Sequence, residues 1–333
     1  MPPGTKKKRV ERIATMERRN GNDKSRARRG RGARGCMPAA AALLAAPAPG
    51  SAADSPFSWE FEAKAGAEYD SNISVIELET ATSADDIAAV FDASLGLEAE
   101  IGEHTSLRAG YDFSQSLHAD FTNFDLQTHR GSAGLSQEIG RVTFDVDYSF
   151  VDASLGRKGF LTINRIAPAL SGFIGKKLFW RLEYVYTDKN FTNRTARDAK
   201  VNAGAASFYY FLDGTRSYWT LRYRYEDENA VAPEFDFRGH EIRLRYTRRF
   251  AFGAGDSRLR LTGRYEKRNY RAITPEIGEI RDDDRYHLEA EWEIPLSRHL
   301  FFEAAYEFAS FVSNLPSADF NQHLVSGRLG VRF

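Results

Sequence analysis

The chain has 333 residues, enough for one large domain or two ordinary ones, and carries 46 Lys/Arg against 46 Asp/Glu. Charged residues make up 28% of it, mean hydropathy is -0.49, and no run of about 18 apolar residues occurs, which excludes a membrane-spanning helix. The aromatic share of 13% is high for so polar a chain. A membrane barrel reconciles the two, because it places apolar side chains at alternate positions rather than in runs.

Residues 1–50 hold 13 Lys/Arg and 3 Asp/Glu, which leaves 33 basic and 43 acidic residues in the rest. A mildly acidic body argues against nucleic acid as a partner. The basic stretch, including Lys6–Arg9, is followed by the apolar run MPAAAALLAA from Met37 to Ala46. Ser51 and Ala53 then suit the small-residue positions of a signal-peptidase site, with cleavage before Asp54. Residues 1–53 are therefore expected to be a basic extension and signal peptide, removed or disordered, and residues 54–333 the mature protein. Cys36 is the sole cysteine; its removal leaves a body without thiols, as suits an oxidising periplasm.

From Phe57 onward the hydrophobic period is two. Val142, Phe144, Val146, Tyr148 and Phe150 alternate with Thr143, Asp145, Asp147 and Ser149. Leu178, Trp180, Leu182, Tyr184 and Tyr186 alternate with Arg181 and Glu183. Tyr286, Leu288, Ala290, Trp292 and Ile294 alternate with Arg285, His287, Glu289, Glu291 and Glu293. Such a pattern needs one apolar and one polar environment on opposite faces of a sheet. It predicts strands at 57–69, 87–101, 105–117, 124–138, 141–151, 160–174, 177–188, 197–212, 216–227, 236–250, 257–269, 284–295, 299–311 and 321–333. Short connections follow the even strands and longer ones mostly follow the odd strands, at 70–86, 118–123, 152–159, 189–196, 228–235, 270–283 and 312–320. The expected fold is all-β: a transmembrane antiparallel up-and-down β-barrel of about 14 strands (12–16), in the bacterial outer membrane with both termini periplasmic.

The chain closes with Gly327, Leu329, Val331 and Phe333 on one face of the last strand. This resembles the C-terminal assembly signal of outer-membrane barrels, and the resemblance implies recognition by the barrel assembly machinery. On the polar face, Arg222, Arg224, Arg243, Arg245, Arg258, Arg260 and Arg264 form a basic wall over three strands. Glu289, Glu291 and Glu293 follow on the next strand, with Asp145, Asp147, Glu98 and Glu100 farther round. Two readings stay open: opposed walls that orient charged solutes in a lumen, or Arg and Glu ladders that pair and fill a narrow barrel. The seven histidines show no metal-like spacing, and no catalytic group, metal site or cofactor is expected; His287 reads as a lumen residue.

Tyr69-Asp70-Ser71-Asn72, leaving the first strand, resembles the barrel domain of surface lipoprotein assembly modifiers. The resemblance spans roughly residues 57–333. It implies a barrel that moves client lipoproteins or other polymers to the cell surface. Those modifiers carry a periplasmic helical-repeat domain before the barrel, and no such region precedes it here, so a separate periplasmic repeat protein would be the expected partner. Besides an export barrel of that type, the residues leave open a passive porin-like channel and a closed structural barrel with partner-binding loops. Outer-membrane lipids and lipopolysaccharide are expected partners of each.

Overall fold

The computed structural model describes residues 29–31 and 56–333, so Cys36 and the predicted cleavage site at Ser51 and Ala53 lie outside the described residues. Fourteen strands close on themselves in sequence order. They are β1 (Phe57–Asp70), β2 (Asp86–Ile101), β3 (Thr105–His118), β4 (Leu126–Ile139), β5 (Val142–Leu155), β6 (Lys158–Ile174), β7 (Leu178–Phe191), β8 (Ala199–Asp213), β9 (Ser217–Ala230), β10 (Phe237–Phe252), β11 (Gly255–Thr274), β12 (Glu279–Pro295), β13 (Leu300–Ser313) and β14 (Phe320–Arg332). Every neighbouring pair is antiparallel, and β14 pairs with β1 from Leu324–Asp70 to Arg332–Glu62. Closure satisfies each strand's backbone without a free edge, the condition for crossing a bilayer with strands.

The alternation decides which side chains face out. Leu95, Ile166, Leu182, Leu221, Leu244, Leu288 and Leu329 are all exposed on the outer surface. Thr143, Asp145, Ser149, Arg181 and Glu293, one position out of phase, are buried. A one-residue shift would exchange the two sets, so the pattern pins the register.

A repeated device marks the outer face. Each odd strand carries one exposed tyrosine whose hydroxyl meets a polar group at or near the next strand. Tyr69 donates to Asp85, Tyr148 to Asn164 at 2.8 Å, Tyr184 to Asn202 at 2.6 Å and Tyr265 to Asp284. Tyr111, Tyr223 and Tyr306 hydrogen-bond the Nδ1 atoms of His129, His240 and His323 at 2.7, 2.8 and 2.9 Å. Six of the seven rings lie near the middle of their strands, and outward positions two steps beyond several of them, toward the long loops, are polar: Asp152, Asp188 and Asp227. This is the position of an interfacial aromatic girdle.

The seam between the last and first strands is tightly built. Gly66 faces Arg328 across it. A Cβ on Gly66 would collide with the Gly327 carbonyl oxygen and stand 2.7 Å from Arg328 Cα. The missing side chain lets the Arg328 guanidinium cross β1 to Glu68 and Asp92, at 3.0 Å each. Phe333 finishes the seam: its N–H donates to the Phe61 carbonyl at 2.9 Å and its carbonyl accepts from Phe61 N–H at 3.2 Å. Its ring stacks on His299, 5.0 Å between centroids. Leu329 and Phe333 are exposed outward, and Gly327 and Val331 share that face.

Two connections differ from the sequence expectation. The loop expected at 152–159 is a tight turn at Gly156 and Arg157, both at positive φ (58° and 64°). The loop expected at 270–283 shrinks to 275–278, because β11 and β12 extend past their expected ends. Both hairpins lengthen because polar residues above the apolar band still gain ladder hydrogen bonds, which leave no hydrophobic signature.

Candidate functional site: a charged lumen crossed by the first loop

Inside the barrel lies a cavity of about 1180 Å³, lined by Arg222, Arg224, Arg243, Arg245, Arg258, Arg260, Arg264, His287, Glu289 and Glu291 among others. Glu293 points the same way and is buried at the short-turn end. The inward phase of β9–β12 thus brings together the Arg wall and the β12 glutamates singled out from the sequence, whereas Glu100, near the end of β2, is exposed and outside the cavity lining.

Register determines how they interact. Arg258 stands opposite Glu293 and Arg260 opposite Glu291 across the β11–β12 ladder. Both pairs are in direct ion contact, and Glu293 also accepts from Arg332 at 2.9 Å. The β12 carboxylates therefore neutralise the adjacent β11 guanidiniums. Higher up, Arg222, Arg243 and Arg264 fall in one cross-strand row. Glu241 serves two of them, at 3.3 Å from Arg243 and 3.6 Å from Arg264. Arg222 reaches Glu183 on β7 at 2.7 Å. Arg224 bonds Glu226 at 2.6 Å, and Arg245 donates to Thr262 at 2.9 Å. Asp145 and Asp147 are clamped by Arg108 and Arg181. Glu60, Glu98 and Asp112, on β1–β3, line the far side of the cavity from β9 and β10. His287 hydrogen-bonds Glu307 at 3.4 Å. Among the described residues no His/Cys/Asp/Glu group is arranged to hold a metal ion.

The first loop, residues 71–85, turns inward across the long-loop mouth. Its root is the Tyr69-Asp70-Ser71-Asn72 segment. Asp70 accepts from Asn72 N–H at 2.8 Å and from the Gln322 amide at 2.6 Å. Ser71 Oγ accepts from His323 N–H at 2.9 Å, and Asn72 donates to the Asn321 carbonyl at 2.9 Å. The motif thus bends the chain and closes the top of the seam. Beyond it, Ser74–Val75 pairs with Thr80–Ala81 around a single 3₁₀ turn at Ile76–Leu78. Val75 and Leu78 pack against Leu126, Phe160, Leu161 and Phe191 on one side of the mouth.

Glu79 carries the loop to the other side. It sits in the left-handed region at φ 55°, an arrangement of some cost for a non-glycine residue. Its carboxylate accepts from Arg281 at 2.6 Å, Arg285 at 2.8 Å, Arg268 at 3.0 Å, Arg197 at 3.4 Å and the Tyr270 hydroxyl at 2.9 Å. Burial alone would push this carboxyl up. Arg285, Arg281, Arg268 and Arg197 instead hold it well below the usual carboxylate range. Sequence reasoning passed over Glu79, since a lone glutamate in an aperiodic loop has no motif. The available signal was the density of Arg and Asp at 268–285.

Comparison with solved structures places this architecture. The anion-selective porin from Comamonas acidovorans aligns with a TM-score of 0.50 at 9% identity, covering 83% of this chain and 99% of that one. OmpT, an outer membrane protein of Vibrio cholerae, in its trimer form, aligns with a TM-score of 0.51 at 8% identity, covering 84% and 100%. The fold is that of outer-membrane barrels. No protein-family model and no curated protein matches the chain.

Proposed function

We propose that the protein is an integral outer-membrane channel for small hydrophilic solutes, exported by its N-terminal signal and oriented with the short turns and both termini in the periplasm. The carrying observation is the charged cavity enclosed by an apolar-faced closed barrel. An outer surface rich in exposed Leu, Ile and aromatic residues on every strand exceeds what a soluble monomer presents. Fourteen strands lie between the eight that side chains fill and the 16–18 of water-filled porins. The Arg222–Arg243–Arg264 row facing Glu60, Glu98 and Asp112 makes a transverse field that orders charged solutes. The first loop narrows the outer mouth.

Export of the assembly-modifier type finds its support in the Tyr69–Asn72 resemblance. The hydrogen bonds of Asp70, Ser71 and Asn72 account for those residues without a client lipoprotein or a periplasmic repeat partner. A cavity filled by paired side chains and crossed by a loop favours small solutes over a polypeptide. Gly327, Leu329, Val331 and Phe333 fit an assembly signal read by the barrel assembly machinery, and the tyrosine girdle fits the lipid and lipopolysaccharide headgroup boundary.

The test is conductance of the folded protein in a planar bilayer in potassium chloride. Discrete channel steps are expected, larger after deletion of residues 73–82. Absence of current from both proteins, folded by circular dichroism, would overturn the channel.

A further inference from the structure

The contacts of Glu79 describe a site as well as a loop anchor. Each of the four arginines around it is held over an aromatic ring: Arg197 over Phe235 at 4.1 Å, Arg268 over Phe237 at 4.4 Å, Arg281 over Tyr270 at 4.6 Å and Arg285 over Phe311 at 5.2 Å. Stacking fixes guanidinium planes independently of any anion. Arg268 is further tied to Glu266, and Arg281 and Arg285 to Asp283, at 2.6 and 2.8 Å. Arg268, Arg281 and Arg285 are therefore pre-positioned from the barrel wall and Arg197 from the loop after β7, while the central carboxylate arrives on the first loop.

Charge and donor counts identify what would fit in place of that carboxylate. Four guanidiniums are in direct ion contact with three carboxylates when Glu79 is docked, and with two, Glu266 and Asp283, when it is not. The vacated centre then calls for two negative charges. Glu79 supplies two oxygens to five donors, and Arg285 Nε remains buried without a hydrogen-bond partner. A phosphate group brings a charge of about −1.5 to −2 at pH 7 and at least three acceptor oxygens. Arginine forks suit it geometrically. Glu79, Arg197, Arg268, Tyr270 and Arg285 all border the cavity, so the centre opens onto the solute path.

We propose that the Arg197, Arg268, Arg281 and Arg285 cluster is a binding site for phosphate-bearing solutes, with Glu79 as its tethered occupant, so that an incoming phosphate displaces the first loop from the mouth. The inference deepens the channel reading and rests on it for its direction of traffic. A tethered carboxylate competes at high effective concentration, so the wild-type site binds weakly and becomes tight once the competitor loses its charge.

Inorganic phosphate titrated calorimetrically into the full chain, folded in phosphate-free detergent at pH 7.5, tests this. Glu79→Gln should bind phosphate at least tenfold more tightly than wild type. Acetate, a monoanion, should bind Glu79→Gln at least tenfold more weakly than phosphate does. Adding Arg268→Gln to Glu79→Gln should abolish the gain. Equal phosphate affinity in wild type and Glu79→Gln, or retention of the gain with Arg268→Gln, would overturn the site. Should the Arg268 variant fail to fold, the comparison of wild type with Glu79→Gln decides alone. A second arm presents micellar lysophosphatidic acid. Free phosphate should still bind undiminished, whereas its displacement by the micellar headgroup would make the source a lipid and overturn a solute site. Phosphate binding without conductance would sink only the channel; conductance without the Glu79→Gln gain would sink only the site.

Discussion

Replacing Arg328 by Met should unlock the seam. Arg328 is 2% exposed and Glu68 3%. Its guanidinium lies 3.0 Å from Glu68, 3.0 Å from Asp92 and 3.7 Å from Glu303. Removing the cation from such a cluster strands buried carboxylates, which costs roughly 3–5 kcal/mol, two to almost four orders of magnitude in the folding equilibrium. Lys64 still reaches Glu303 at 3.1 Å, so the loss falls on Glu68 and Asp92, and the lower end, about 3 kcal/mol, is expected. Urea unfolding in lipid vesicles, followed by tryptophan fluorescence, measures it. Adding Glu68→Gln should return about 1 kcal/mol or more, because the two changes share one contact. A single variant within about 1 kcal/mol of wild type, where stranding buried carboxylates costs about 3 kcal/mol, would refute the reasoning, as would a double mutant with strictly additive losses.

Glu79 sets a pH response whose sign follows from its depressed carboxyl. Docking strength is complete above the ordinary carboxylate value of about 4.3 and is lost as pH falls from there toward the docked value; single-channel recordings should be flat from pH 8 to 5 and show loop opening only in stronger acid, and a midpoint near neutrality would contradict this. Deleting Phe333 removes two seam hydrogen bonds and the His299 stack, so outer-membrane levels measured by fractionation and heat-modifiability should fall severalfold, and normal levels would end the assembly-signal reading. Gly66→Ala, whose Cβ meets the Gly327 backbone, should destabilise by about 1–3 kcal/mol in the same urea assay, while Gly131→Ala, with open space around it, should be near neutral.

Most of the barrel was legible because its solvent is divided. Water inside and lipid outside impose a period of two, and that period fixed the faces of Val142–Phe150 and Tyr286–Ile294 before any pairing was known. Strand ends were legible where a turn needed glycine: Gly253, at φ 72°, leaves no room for a Cβ against the Pro295 carbonyl, 2.7 Å away. The extended ends of β11 and β12 were not, since Arg271, Arg281 and Asp283 look like loop residues, although Ile273 pairs with Ile280 and Thr274 with Glu279 beyond them. The inward position of the Arg wall could be read from phase, but its neutralisation depended on the Arg258–Glu293 register, a property of two strands together. The first loop was beyond reach because the arginines that hold Glu79 lie about 120 to 200 residues away in the chain and its inward path is set by contacts rather than by local pattern.

The seven tyrosine pairs have a consequence for how such a barrel changes size. Every hairpin brings its own hydroxyl, its own polar partner and its own vertical datum against the lipid boundary. Circumference and depth are thus set by separate parts of the sequence. Gaining or losing a two-strand unit would widen or narrow the ring while each remaining unit still found its height unaided. Parity of strand number follows as well, since half a unit would leave a ring without its partner.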